Sequence, residues 1–146
     1  MRTFLIVSIF SLFGTFSSAQ IFKPINWSFE VNQNKDDTYT FTATAKIDEN
    51  WVVYSQHTGE GGPIPLEFTY DDGIAKIGET EEISPAIKKM SKLFEMEVIQ
   101  FKNEAVFTQK FIPNKGQSSI KGYLTFMCCD SNKCLPPTDV DFDVAF

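Results

Sequence analysis

The chain has 146 residues with 13 Lys and Arg against 19 Asp and Glu, a formal net charge of −6. That length fits one domain with a real core, and the acidic balance argues against a nucleic-acid binder, which needs a basic face. Fifteen Phe predict a core built from aromatic residues, and three Cys, an odd number, cannot all pair within the chain.

Residues 1–19 read as a secretory signal peptide. Arg2 supplies the positive start, Phe4 to Phe13 an apolar run, and Ser17 and Ala19 the small residues before the cleavage point. The run is shorter than the roughly 20 apolar residues a membrane span needs. An uncleaved anchor is the alternative; a lipoprotein is disfavoured, because no cysteine lies near the cleavage point. Cleavage leaves a domain over 20–146 and removes Arg2, taking the formal charge from −6 to −7. No later stretch is apolar enough to span a membrane. The expectation is a soluble protein outside the cytoplasm, where disulfides persist unless something reduces them.

Strands are predicted nearly everywhere after that. Trp27, Phe29 and Val31 alternate with polar residues, as do Tyr39, Phe41, Ala43, Ala45 and Ile47. Leu66, Phe68 and Tyr70 follow, then Ala105, Phe107 and Phe111, then Ile120, Leu124, Phe126 and Cys128. Val140, Phe142, Val144 and Phe146 close the chain, opposed by Asp139, Asp141 and Asp143. Period-two alternation means one face buried and one wet. Turn residues separate the runs at 34–37, 48–50, 59–65, 71–73 and 113–116. Pro85 to Leu93 is the one helix candidate. Seven to nine short strands at this spacing predict an all-β, immunoglobulin-like antiparallel sandwich, with a small barrel as the alternative.

All three cysteines fall within Cys128–Cys134, where a strand runs into a loop. Ile120, Leu124, Phe126 and Cys128 share the apolar face, so Cys128 is expected to point into the core as a small apolar side chain. Cys129 is then expected to point out towards the loop surface and to pair with Cys134. Adjacent cysteines are poor partners. Pairing of Cys128 with Cys134 stays open if a bulge shifts the register. A six-residue loop closed by Cys129–Cys134 gains only about 2 kcal/mol in the chain-entropy model, so a purely stapling role is weakly motivated. Pro136 and Pro137 stiffen the segment that follows.

The segment Phe126-Met127-Cys128-Cys129, followed by Cys134-Leu135-Pro136-Pro137-Thr138, resembles the cysteine segment of the amino-terminal domain of the DsbD thiol–disulfide interchange reductase family. Asn50 to Ser55, with Trp51 and Tyr54, is similar to the aromatic strand of that family beside its cysteines. Lys92 to Val98 is similar to its cap loop, whose phenylalanine covers the disulfide; here that residue is Phe94. The resemblance covers roughly residues 22–146. It departs in two ways: four residues separate Cys129 from Cys134, one fewer than in the best-known members, and Cys128 is an additional thiol. The family's membrane-embedded carrier and thioredoxin-like domain have no counterpart here, so a separate electron donor is expected.

What the resemblance implies is an immunoglobulin-like fold and thiol–disulfide exchange through Cys129 and Cys134, with no cofactor beyond the disulfide. The residue matching the first family cysteine, Cys129, would leave the bridge, and Cys134 would attack the partner. Phe94 would be a lid, with Tyr54, Met127, Asp130 and Pro136 as neighbours. Thioredoxin-like or membrane thiol proteins would donate, and oxidised periplasmic proteins would accept. Asp130, Glu95 and Glu97 are expected to disfavour the thiolates, because nearby negative charge opposes their formation. Two other classes remain in view. One is a non-catalytic binding sandwich with a structural bridge. The other is a copper(I) carrier using Cys128, Cys129, Cys134 and Met127, soft ligands suited to that ion. His57, the lone histidine, reads as a loop residue, and Asp71-Asp72 and Glu79 to Glu82 as solvated surface.

Overall fold

A computed structural model describes residues 23–146; the expected signal peptide lies outside the described residues. Within them the fold is all-β, with eleven strands, every pairing antiparallel, and no helix. In chain order the strands are β1 (Ile25–Gln33), β2 (Tyr39–Ile47), β3 (Val52–Tyr54), β4 (Glu67–Tyr70) and β5 (Ile74–Glu82). Then come β6 (Ile87–Ser91), β7 (Met96–Phe101), β8 (Glu104–Pro113), β9 (Ser119–Phe126), β10 (Cys128–Cys129) and β11 (Thr138–Ala145). They form three sheets, ordered β1-β2-β8-β5, β11-β9-β4 and β10-β3-β7-β6.

The alternating runs explain how the first two sheets meet. Phe41, Ala43 and Ala45 of β2, with Ala105, Phe107 and Phe111 of β8, are fully buried on one face. Leu124 and Phe126 of β9 and Phe142 of β11 come from the opposing sheet. The layers interlock through rings: Phe41 lies 4.7 Å from Phe142, Phe68 5.6 Å from Phe107, and Trp27 5.5 Å from Phe126 between centroids. Offset and edge-on ring pairs each add about 0.5–1.5 kcal/mol beyond their buried area. Gly122 permits the close packing of β9: its φ is +154°, and a Cβ there would collide with the Thr69 carbonyl oxygen.

The third sheet adjoins this sandwich, and one of its faces completes the aromatic core through Val53, Phe101 and Cys128. It is anchored by a partly buried polar clamp. The Glu82 carboxylate accepts hydrogen bonds from Ser55 Oγ at 2.9 Å and the Gln56 backbone N–H at 2.8 Å, tying the end of β3 to β5. Glu82 therefore has a specific partner set, where the sequence suggested only solvated surface. The side chain of His57 is exposed; its backbone N–H donates to Ser55 Oγ at 2.9 Å.

Two expectations are corrected. Pro85 to Leu93 is not helical: Ile87–Ser91 is β6, an edge strand paired with β7 through a hairpin turn at 92–95. Pairing along β7 satisfies the backbone groups on one side of β6, whereas a helix of one or two turns leaves most of its groups open. Strands also outnumber the seven to nine expected, because β5, β6 and β7 lack a clean period-two pattern.

Candidate redox-active site

Residues 127–135 form the site from the backbone up. At Met127 the chain leaves the β9 ladder, and Cys128 and Cys129 join the third sheet opposite Val53 and Val52. The chain then reverses. Asp130 N–H donates to the Lys133 carbonyl at 2.9 Å, and Leu135 N–H donates to the Cys128 carbonyl at 2.9 Å. The turn between them is held by the Asp130 carboxylate, which accepts the backbone N–H groups of Asn132 at 2.7 Å and Lys133 at 2.8 Å. Those bonds hold the Asp130 carboxyl below the usual carboxylate range. Pro136 and Pro137 interrupt regular pairing before β11 begins at Thr138.

Cys129 and Cys134 face each other across this hairpin and are joined in a disulfide, with a Cα–Cα distance of 4.0 Å. Cys128 is a free, buried thiol. Strand alternation sends neighbours to opposite faces, so Cys128 enters the main core while Cys129 joins Val52, Tyr54 and Val98 in a second apolar cluster. The expectation that Cys129 points away from the core is met, but its exposure is not: it is 0% accessible. The reason is a cover. Phe94, Met96, Met127 and Cys134 pack against that cluster, and the Phe94 ring stands edge-on to Tyr54 at 6.0 Å. Cys134 itself remains half-buried.

Phe94 sits in the β6–β7 turn, with Glu95 after it in the left-handed region at φ 55°. The turn is lightly tied: Phe94 N–H donates to Ser91 Oγ at 3.3 Å. Met96 is backed by the 59–62 loop, where a Cβ on Gly62 would lie 2.7 Å from the Met96 sulfur. Beside the disulfide, β3, β6 and the 130–132 turn border an open cleft of about 660 Å³. Burial pushes the Cys128 thiol from 9.0 up to about 11 and, together with Cys128's charge as a smaller cause, the Tyr54 hydroxyl from 10.0 up to about 12. Both stay neutral at physiological pH.

Of the residues singled out in the sequence, Cys129, Cys134, Tyr54, Phe94 and Met127 come together in one cluster. Asp130 shapes the adjoining turn. Pro136 is exposed beyond the hairpin, and Cys128 lies on the other face, so the three sulfurs do not converge. Val52, Val98 and Met96 complete the cluster and were not singled out. Met96 and Val98 alternate with Glu95 and Glu97, a short period-two signal that marks them as facing one way.

The comparisons with known proteins bear on the fold and the family. A family model described as the N-terminal domain of the thiol:disulfide interchange protein DsbD matches residues 18–145. The crystal structure of the reduced N-terminal domain of Neisseria meningitidis DsbD superposes with a TM-score of 0.61 at 17% identity, covering 86% of this chain and 90% of that one. The N-terminal periplasmic domain of ScsB from Proteus mirabilis gives 0.60 at 15% identity, over 83% of this chain and 45% of that one. These likenesses carry the immunoglobulin-like fold. No curated protein matches the chain. With all but its first 17 residues and its last spanned by the family model, the chain belongs to the family of the N-terminal domain of the thiol:disulfide interchange protein DsbD.

Proposed function

We propose that the protein is a periplasmic thiol–disulfide exchange carrier that works through the Cys129–Cys134 pair. The observation that carries this reading is an asymmetric disulfide on a hairpin that also has backbone hydrogen bonds of its own. Cys129 is sealed at 0% accessibility while Cys134 is half-buried, and the hairpin keeps its own backbone hydrogen bonds. Opening such a bridge releases a loop of six residues, a loss of about 2 kcal/mol in the chain-entropy model. The sandwich is therefore expected to persist without it.

A donor thiolate attacks Cys134 Sγ, the approachable sulfur. The Cys129–Cys134 bond breaks, the Cys129 sulfur leaves with the electron pair, and a donor–Cys134 mixed disulfide forms. The donor's second thiol then attacks its own sulfur, closing the donor's disulfide and freeing Cys134. Two electrons and two protons have passed to this protein. In the second half, Cys134 as thiolate attacks the disulfide of an oxidised partner, and Cys129 resolves the mixed disulfide. Phe94 acts as the lid that a docking partner displaces. Family membership supports exchange as the chemistry, and the periplasmic origin of the ScsB domain supports the compartment.

Trapping tests the reading. With Cys129→Ala, Cys134 has no resolving partner, and an adduct that dithiothreitol releases is expected on non-reducing gels of periplasmic extract. Cys134→Ala leaves only the buried Cys128 and Cys129 and is expected to trap far less. Equal absence of adducts from both variants contradicts the carrier role.

A further inference from the structure

The cleft beside the disulfide carries charge opposite to the molecule. The chain as a whole is at −6, yet the cleft is lined by Lys89, Lys92 and Lys102, with Cys129 in its wall. All three lysines are exposed. Among the described residues the ion pairs are Lys110–Asp36 at 2.8 Å and Lys121–Asp143 at 2.9 Å, both elsewhere, so none of the cleft lysines is neutralised by a salt bridge. The single carboxylate in the lining, Asp130, is occupied by the backbone N–H groups of Asn132 and Lys133. Strand alternation turns Glu97, opposite Met90, to the other face of the sheet from Val98 and Lys89. Leu93, 44% exposed, gives the lip an apolar group; the Met90 side chain shares the other face with Glu97.

We propose that this cleft docks a thiol partner whose reactive cysteine is flanked by carboxylates. The inference rests on the exchange role above and names the chemistry of its partner. An acidic carrier repels acidic proteins over most of its surface. A local cationic strip at the disulfide admits them there in one orientation, with the apolar group of the lip covering the partner's edge. Such fields act chiefly on the rate of encounter, by tenfold or more, and fade with salt.

The experiment uses two synthetic cysteine peptides alike except that two Asp flank the cysteine on each side in one and two Lys in the other. Rates of opening of the Cys129–Cys134 bridge are compared per thiolate, at low and high ionic strength. The acidic peptide is expected to react about tenfold faster at low salt, with the advantage gone at about 0.5 M salt, where screening is nearly complete. Lys89→Glu with Lys102→Glu is expected to abolish or reverse the preference. Lys35→Glu with Lys115→Glu, the same charge change at a distant end, is expected to retain it. Lys92 is left intact because it adjoins the lid. Dithiothreitol, uncharged, should reduce all three proteins alike. A bridge that opens to dithiothreitol and to both peptides at equal rates overturns this inference alone. So does a preference untouched by the Lys89 and Lys102 changes. A bridge closed to every thiol overturns the exchange role and this inference with it.

Discussion

The two faces of the sheet β10-β3-β7-β6 are built from adjacent residues and do different work. On one face Cys128, Val53 and Phe101 join the aromatic core, covered by the whole sandwich. On the other, Cys129, Val52, Tyr54 and Val98 are covered by one hairpin turn and a few side chains around it. Each face is nearly closed to water, since Cys128 is 3% and Cys129 0% accessible. Burial alone therefore does not separate Cys128 from Cys129, the cysteine of the proposed exchange pair. What separates them is how much structure must move to uncover each. Uncovering the core face would take unfolding of the sandwich, whereas uncovering the other face is expected to take only local opening of the turn at 92–95.

The largest contrast should come from one phenylalanine on each face. Phe101→Ala removes a fully buried ring that packs edge-on against Phe107 at 5.5 Å. It is expected to cost about 3–5 kcal/mol in urea unfolding. Phe94→Ala removes a half-buried ring and is expected to cost under about 1.5 kcal/mol, while speeding reduction of the bridge by small thiols about tenfold. Equal stability losses, or an unchanged reduction rate in Phe94→Ala, would break the comparison.

The second contrast is smaller and concerns pH. Burial raises the Cys128 thiol from 9.0 to about 11. Its folded pKa lies above its unfolded one, so the stability it contributes is fully present below about pH 9 and is lost as pH rises through about 11. Native Cys128 should alkylate much more slowly than the unfolded chain at pH 8, and Cys128→Ala should leave exchange at Cys134 unchanged. Fast native alkylation would place Cys128 on the accessible face instead.

Much of this was legible in the residues. Long period-two runs such as Tyr39 to Ile47 mark strands with one wet face, and the main sandwich is made of those. The facing of Cys128 and Cys129 followed from carrying the β9 alternation past Met127. The third sheet was harder because β7 buries residues on both faces, with Glu97 alone exposed: Phe101 enters the core, while Val98 and Met96 pack towards the lid. Exposed β6, with Lys88, Lys89 and Met90, has no buried face to mark it as a strand. In β5 the register shifts between Ile77 and Glu81, which breaks the period. Cys129 looked exposed because its cover comes from a distant turn, and strand periodicity carries no information about what packs over a face.

The most direct test is a redox titration of the wild-type protein in thiol–disulfide buffers, following the Cys129–Cys134 bond and the fold together. The bond is expected to open at a midpoint within the range of exchange proteins, about −120 to −270 mV. Circular dichroism should stay native throughout, and the reduced form should melt no more than about 10 °C lower. A bridge that stays locked across that range, or that takes the fold with it when it opens, contradicts the account.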